Sequence, residues 1–162
     1  MRLRKFTGKE TENPYSFQER FRNIERISII YPEEEKWLRI ARYTLKKMYN
    51  QPEKFGYQLL VPMGSSRPLL DLNFEYHDMS YEPNAEKRKE LRSQVMSFNP
   101  DILLQLEPNP GVRLNKLFKS LNISLKMGFG TEDSGLNIIY SQRESGFYEK
   151  NILNLISLLD KK

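Results

Sequence analysis

The segment DILLQLEPNPGVR, residues 101–113, constrains the fold more than any other stretch of the chain. Ile102, Leu103, Leu104 and Leu106 form an apolar run that stops at Pro108, too short for a helix, and that length suits a strand packed on both faces. Asn109 is placed to cap a helix whose first position is Pro110, where a missing N–H removes nothing. A buried strand running straight into a helix start makes the chain α/β. In open parallel sheets ligands gather outside the carboxyl ends of strands, so Glu107, Asn109 and Arg113 are the first candidates for binding.

The rest of the chain repeats the alternation. RISIIYP, residues 26–32, reads as a first strand, and Trp37, Ile40, Ala41, Leu45 and Met48 then make one apolar helical stripe that ends before Gln51 and Pro52. A second strand at 57–61 is closed by Pro62 and Gly64, which completes a parallel βαβ unit. The pattern weakens over 65–83: Leu69, Leu70 and Leu72 fit a short helix or turn, and residues 74–81 alternate aromatic with polar as an edge strand does. Asn84 caps a helix over 84–98 with Leu91, Val95 and Phe98 inward. Beyond the strand at 101, Val112, Leu114, Leu117, Phe118 and Leu121 supply the buried side of another helix, with Lys116 and Lys119 outward. LKMGF, 125–129, is a strand; a Gly-rich acidic loop at 130–135 precedes the β-like LNIIYS; and 147–162 form a terminal helix with Ile152, Leu155, Ile156 and Leu159 inward. Residues 1–25 are a polar, basic arm in which Phe17, Phe21 and Ile24 fall at helical spacing; it folds over the sheet edge or lies on a membrane surface. Residues 26–162 are expected to form one domain.

Composition narrows the chemistry. The chain has no Cys and a single His, His77, which argues against thiolate metal sites, zinc and His-based triads. No apolar run approaches the roughly 20 residues of a membrane span, and the N-terminus lacks a secretion signal's apolar core, so the expected compartment is the cytoplasm. A net charge of +5, from 26 basic and 21 acidic residues, is spread along the chain without a groove-reading motif, so nucleic acid is not the expected partner. The turn GSSR, with Gly64, Ser65 and Arg67, could hold an anion through backbone N–H groups and the guanidinium, or serve simply as a turn. It lacks P-loop spacing, and GFGTEDSG lacks the third glycine of a dinucleotide site, so no cofactor is expected. Glu132 and Asp133 are too few oxygen ligands for Mg²⁺.

Taken in order, ISIIYP, DILLQLE with a following helix that carries Arg113, KMGF (Lys126 to Phe129, an R/K-x-G-F strand) and the closing FYEKNILNLISLL resemble the N-terminal half of the heptosyltransferases of glycosyltransferase family 9. Those enzymes transfer ADP-heptose onto lipopolysaccharide core. The resemblance covers nearly everything after residue 25. It implies a three-layer Rossmann-like α/β domain with a mostly parallel central sheet, similar to the acceptor-side, N-terminal domain of a GT-B glycosyltransferase. It also implies a glycan or lipid-linked sugar acceptor, at the inner face of a bacterial membrane, with Arg113 meeting a phosphorylated or acidic sugar.

Two departures accompany the match. Where the family carries a Gly-Asp pair after its first strand, with the Asp as general base, this chain reads YPEEEKW. Glu33, Glu34 or Glu35 could supply that carboxylate, yet acidic residues in a first helical turn are also what the helix dipole favours. The chain also ends at residue 162, before the family's donor-binding second domain would begin. The expectation is a domain that is not active alone, either a detached half that works with a partner chain or a second copy or a fragment of a longer enzyme; the alternative is a binding or assembly module that has left catalysis behind.

Overall fold

A computed structural model describes residues 2–3, 21, 23–49, 55–64, 74–140 and 146–160. Its centre is a seven-stranded sheet. In chain order the strands are β1 (Arg2–Leu3), β2 (Arg26–Ile30), β3 (Gly56–Pro62), β4 (Phe74–Met79), β5 (Ile102–Gln105), β6 (Leu125–Phe129) and β7 (Ile138–Tyr140). They lie side by side as β1-β7-β6-β5-β2-β3-β4. All are parallel except β1, which runs antiparallel to β7 through Arg2 opposite Ile139 and Leu3 opposite Ile138. From β2 the chain winds outward one way through β3 and β4, then returns and winds the other way through β5, β6 and β7. This is the doubly wound Rossmann-like order, with its switch point between β2 and β5.

Helices cover both faces. The α1 (Glu35–Tyr49) and α4 (Gly146–Asp160) helices pack together on one side. Their Trp37, Leu38, Ala41, Leu45, Tyr148, Ile152 and Leu155 meet Ile27, Ile29, Leu59, Ile102, Leu104 and Met127 of the sheet. On the other side α2 (Ala85–Phe98) and α3 (Val112–Ser120) bring Leu91, Val95, Leu114, Leu117 and Phe118 onto Ile30, Leu60 and Leu103. The strands are buried on both faces, which is why they read as continuous apolar runs. One polar line crosses this core: Ser28 Oγ–H donates to Gln58 Oε1 (2.7 Å), and Gln58 Nε2–H to the Gln94 carbonyl of α2 (3.1 Å). Ser28 and Gln58 are register partners on β2 and β3, so the pair satisfies itself inside the sheet.

Local signals largely decide the element ends. Asn84 caps α2, its Oδ1 accepting the Lys87 N–H at 2.8 Å, and Asn99 closes the helix with φ 51°. The β4 strand is one of the two edge strands of the sheet among the described residues, and its His77 hydrogen-bonds to Glu75 at 2.7 Å. Two expectations fail at the start of α3. The helix begins at Val112 with Gly111 in the capping place and no side-chain cap bond, so neither Asn109 nor Pro110 opens it. The Asn109 N–H is tied back to the Glu107 carboxylate (3.0 Å), and the chain needs two more residues before it can turn helical. Val112, at the first helical position, then points to solvent and is 72% exposed instead of buried. Of the N-terminal helix expected around Phe17, Phe21 and Ile24, only Phe21 and Ile24 lie within the described residues, as does none of Leu69, Leu70 and Leu72.

Candidate functional site

The switch point is where two neighbouring parallel strands send their chains apart. β2 and β5 stay hydrogen-bonded until the Leu106 N–H reaches the Ile30 carbonyl at 2.9 Å. Beyond it one chain turns into α1 and the other toward α3, and the gap is bridged by one side chain. Glu107, 8% exposed, accepts the Glu33 N–H on Oε2 (2.9 Å) and the Asn109 N–H on Oε1 (3.0 Å). Burial pushes its carboxyl above the ordinary range; the two N–H bonds pull it partly back, and the nearby Glu33 and Glu34 charges push it up again.

Three further groups adjoin Glu107. Gln105, fully buried at the end of β5, donates both amide hydrogens, to the Glu107 carbonyl (2.9 Å) and to the Phe129 carbonyl of β6 (2.7 Å). Its Oε1 has no partner among the described residues. Tyr148 of α4 reaches through the core to donate its hydroxyl to the Leu106 carbonyl at 2.7 Å, with its ring 4.8 Å from that of Trp37. Tyr81, just past β4, is buried with its hydroxyl unpartnered among the described residues. Burial pushes its phenol far above the ordinary range, and the Glu107 and Glu33 carboxylates push it further.

The remaining candidates fall around this centre. Glu33, Glu34 and Glu35 are exposed at the strand end; the Glu34 carbonyl accepts the Trp37 and Leu38 N–H groups (both 2.9 Å) and so starts α1. Asn109 is exposed beside Glu107. Arg113 turns from the crevice to Glu82, with Nη1–H on its carbonyl (3.3 Å) and Nε 3.6 Å from its carboxylate. Gly64 sits in the turn after β3 at φ 77°, whereas Ser65 and Arg67 lie outside the described residues. No group of three or more His, Cys, Asp or Glu among the described residues could hold a metal ion. None of their helices is long and apolar enough to cross a membrane.

Sequence reasoning placed Glu107 at the strand end but missed Gln105, Tyr81 and Tyr148. A glutamine inside an otherwise apolar strand was a readable sign of a committed buried amide. Nothing local marks the two tyrosines, because their partners lie on other elements.

The same arrangement of strands and helices is found in known structures. A glycosyl transferase of family 9 from Veillonella parvula superposes with a TM-score of 0.59 at 12% identity, over 85% of this chain and 42% of its own. The E. coli heptosyltransferase WaaC, solved with ADP-2-deoxy-2-fluoro heptose, gives 0.60 at 12% identity, over 82% of this chain and 47% of its own. The fold is shared with family 9 glycosyltransferases. It is also similar to that of an exopolyphosphatase-related protein from Bacteroides fragilis, at 0.52 and 10% identity, over 90% of this chain and 43% of that one. This chain therefore spans less than half the length of each of these relatives in fold. No protein-family model matches the sequence, and no curated protein matches it.

Proposed function

We propose that this chain is a glycosyltransferase-like domain that binds a glycan or lipid-linked sugar acceptor in the crevice beyond the carboxyl ends of β2 and β5. The observation that carries this reading is the Glu107 bridge: a buried carboxylate holding two diverging turns at the switch point of a sheet whose fold is shared with family 9 glycosyltransferases. Residues 26–162 act as one domain with 1–25 as its arm. Nucleotide-sugar binding comes from a further part of a longer enzyme, from a partner chain or from a second copy, in the cytoplasm at the inner face of the membrane. In a transfer reaction the acceptor hydroxyl would need a carboxylate to take its proton, and Glu33, Glu34 and Glu35 stand exposed at the strand end to do so.

A second reading, a binding or assembly module without transfer, is favoured by one feature. Both Glu107 oxygens are engaged by backbone N–H groups, so the buried carboxylate of the crevice is a brace. Retention of the full chain on immobilised glycans tests the first reading: selective retention, weakened by Glu107→Gln, is expected, and no retention on any glycan rejects it. Adding a nucleotide sugar and the co-purifying partner to a retained glycan then separates transfer from binding alone.

A further inference from the structure

We propose that the outer face of α1, where Lys36, Arg39, Tyr43 and Lys46 line up, rests on an anionic lipid bilayer. This names the surface that meets the membrane of the proposed location, and it stands apart from the crevice and its ligand.

The spacing sets the stripe. The four residues stand at i, i+3, i+7 and i+10 of α1, so they share one side of the helix over about 15 Å at 1.5 Å per residue. All four are exposed. The opposite side of the helix is buried through Trp37, Leu38, Ala41, Leu45 and Met48, so the stripe points away from the sheet. Glu35 is the only acidic residue of α1, and the helix dipole accounts for it in the first turn. Arg39 and Lys46 form no salt bridge among the described residues, and Lys36 lies over the Trp37 ring at 4.2 Å without leaving the surface. The neighbouring α4 is packed against α1, and its own outer side adds the exposed Lys150 and Leu153.

A row of cations by itself is an ordinary solvated face; the apolar groups among them set this one apart. Tyr43, between Arg39 and Lys46, is 68% exposed, and it and Leu153 are two of the four large apolar side chains that stand exposed among the described residues. An amphipathic ring between basic side chains suits the headgroup layer of a bilayer, where the ring leaves water, the hydroxyl stays wet and the cations meet phosphates. The long stems of Lys and Arg let the charges reach that level while the helix lies flat. A nucleic-acid strand is tracked by a basic groove, whereas the stripe is the ridge of a helix. The opposite face of the sheet is less suited, because acidic residues are interleaved there and Lys87 and Arg113 pair with Glu90 and Glu82. Charge complementarity with an anionic leaflet therefore favours the α1 face.

The test is co-sedimentation of the full chain with vesicles of phosphatidylcholine, alone or mixed with phosphatidylglycerol. Binding to the mixed vesicles alone is expected, and its loss at high salt. The double variant Arg39→Gln, Lys46→Gln should bind at least about tenfold more weakly, since each basic residue at an anionic surface is worth about fivefold. Tyr43→Ala should bind severalfold more weakly, because the ring no longer leaves water. Melting temperatures should not move, as all three positions are exposed. The matched pair Lys89→Gln, Lys116→Gln on the opposite face should bind as the parent does; an equal loss there would mean that net charge alone is read, and overturns the proposal. No binding to the mixed vesicles, or full binding by the α1 double variant, also overturns it. Tighter binding of a single-stranded oligonucleotide than of the vesicles would assign the stripe to nucleic acid instead. Glycan retention by the crevice is read separately and survives each of these outcomes.

Discussion

At the scale of single residues, Glu107 and Gly128 carry the clearest consequences. Burial raises the Glu107 carboxyl above its ordinary 4.5, so the native state holds this proton more tightly than the unfolded chain does. Its contribution to stability is then fully present below about pH 4.5 and is lost as pH rises through the raised value. Glu107→Gln removes the titration. Urea unfolding of both proteins from pH 4 to pH 7 should show the variant gaining on the parent as pH rises, whereas a difference flat with pH would contradict the shift. Gly128 has φ 149°, and a Cβ there would overlap the Gln105 backbone carbonyl on the neighbouring strand. Gly128→Ala should cost at least about 3 kcal/mol in chemical denaturation, because strain and overlap add. Gly64→Ala, with φ 77° but nothing within 4 Å, should cost only about 1 kcal/mol, the left-handed backbone penalty alone.

At the scale of elements, side chains fasten helices to strands at points the local sequence does not mark. Lys126 of β6 donates its ammonium to the Phe118 and Leu121 carbonyls, both at 3.0 Å, and so neutralises the C-terminal end of α3. Lys126→Met should lower stability by about 2 kcal/mol in thermal or chemical melts, the value of charge-assisted bonds. Asp101 does similar work at the same, N-terminal end of the strands, where its Oδ2 accepts the Glu25 and Arg26 N–H groups at 2.8 and 2.9 Å and joins β5 to β2. The strands themselves were legible because double burial writes an apolar run: residues 57–61, Ile102 to Leu104 and 125–129 all fall within strands. The helices α1, α2 and α4 were legible from their apolar stripes. The start of α3 was not, since the Asn-Pro pair looks like a cap until the Glu107 carboxylate, two residues earlier, is seen to hold the Asn109 N–H. Glu107 could be read as a strand-end residue, but its bond to Glu33, 74 residues away, could not.

At the scale of the whole molecule, the sheet is sandwiched by helix pairs, and each pair closes a core of its own. Removing α4 would strip Tyr148, Ile152, Leu155, Ile156 and Leu159 from the larger one. Five such side chains represent roughly 10 kcal/mol of burial, comparable with the entire net stability of a typical domain. A chain cut after residue 145 should therefore show no cooperative melt by circular dichroism; a sharp transition would mean that the sheet stands without its last helix. The pairing of Trp37 with Tyr148 gives that helix an optical signature as well. Trp37 is the chain's sole tryptophan, sealed from water at the start of α1 and held against a ring of α4. Light absorbed by Tyr148 passes to an indole 4.8 Å away, so the protein's emission dims and reddens when the two helices part. The docking of its last helix can be watched without any label.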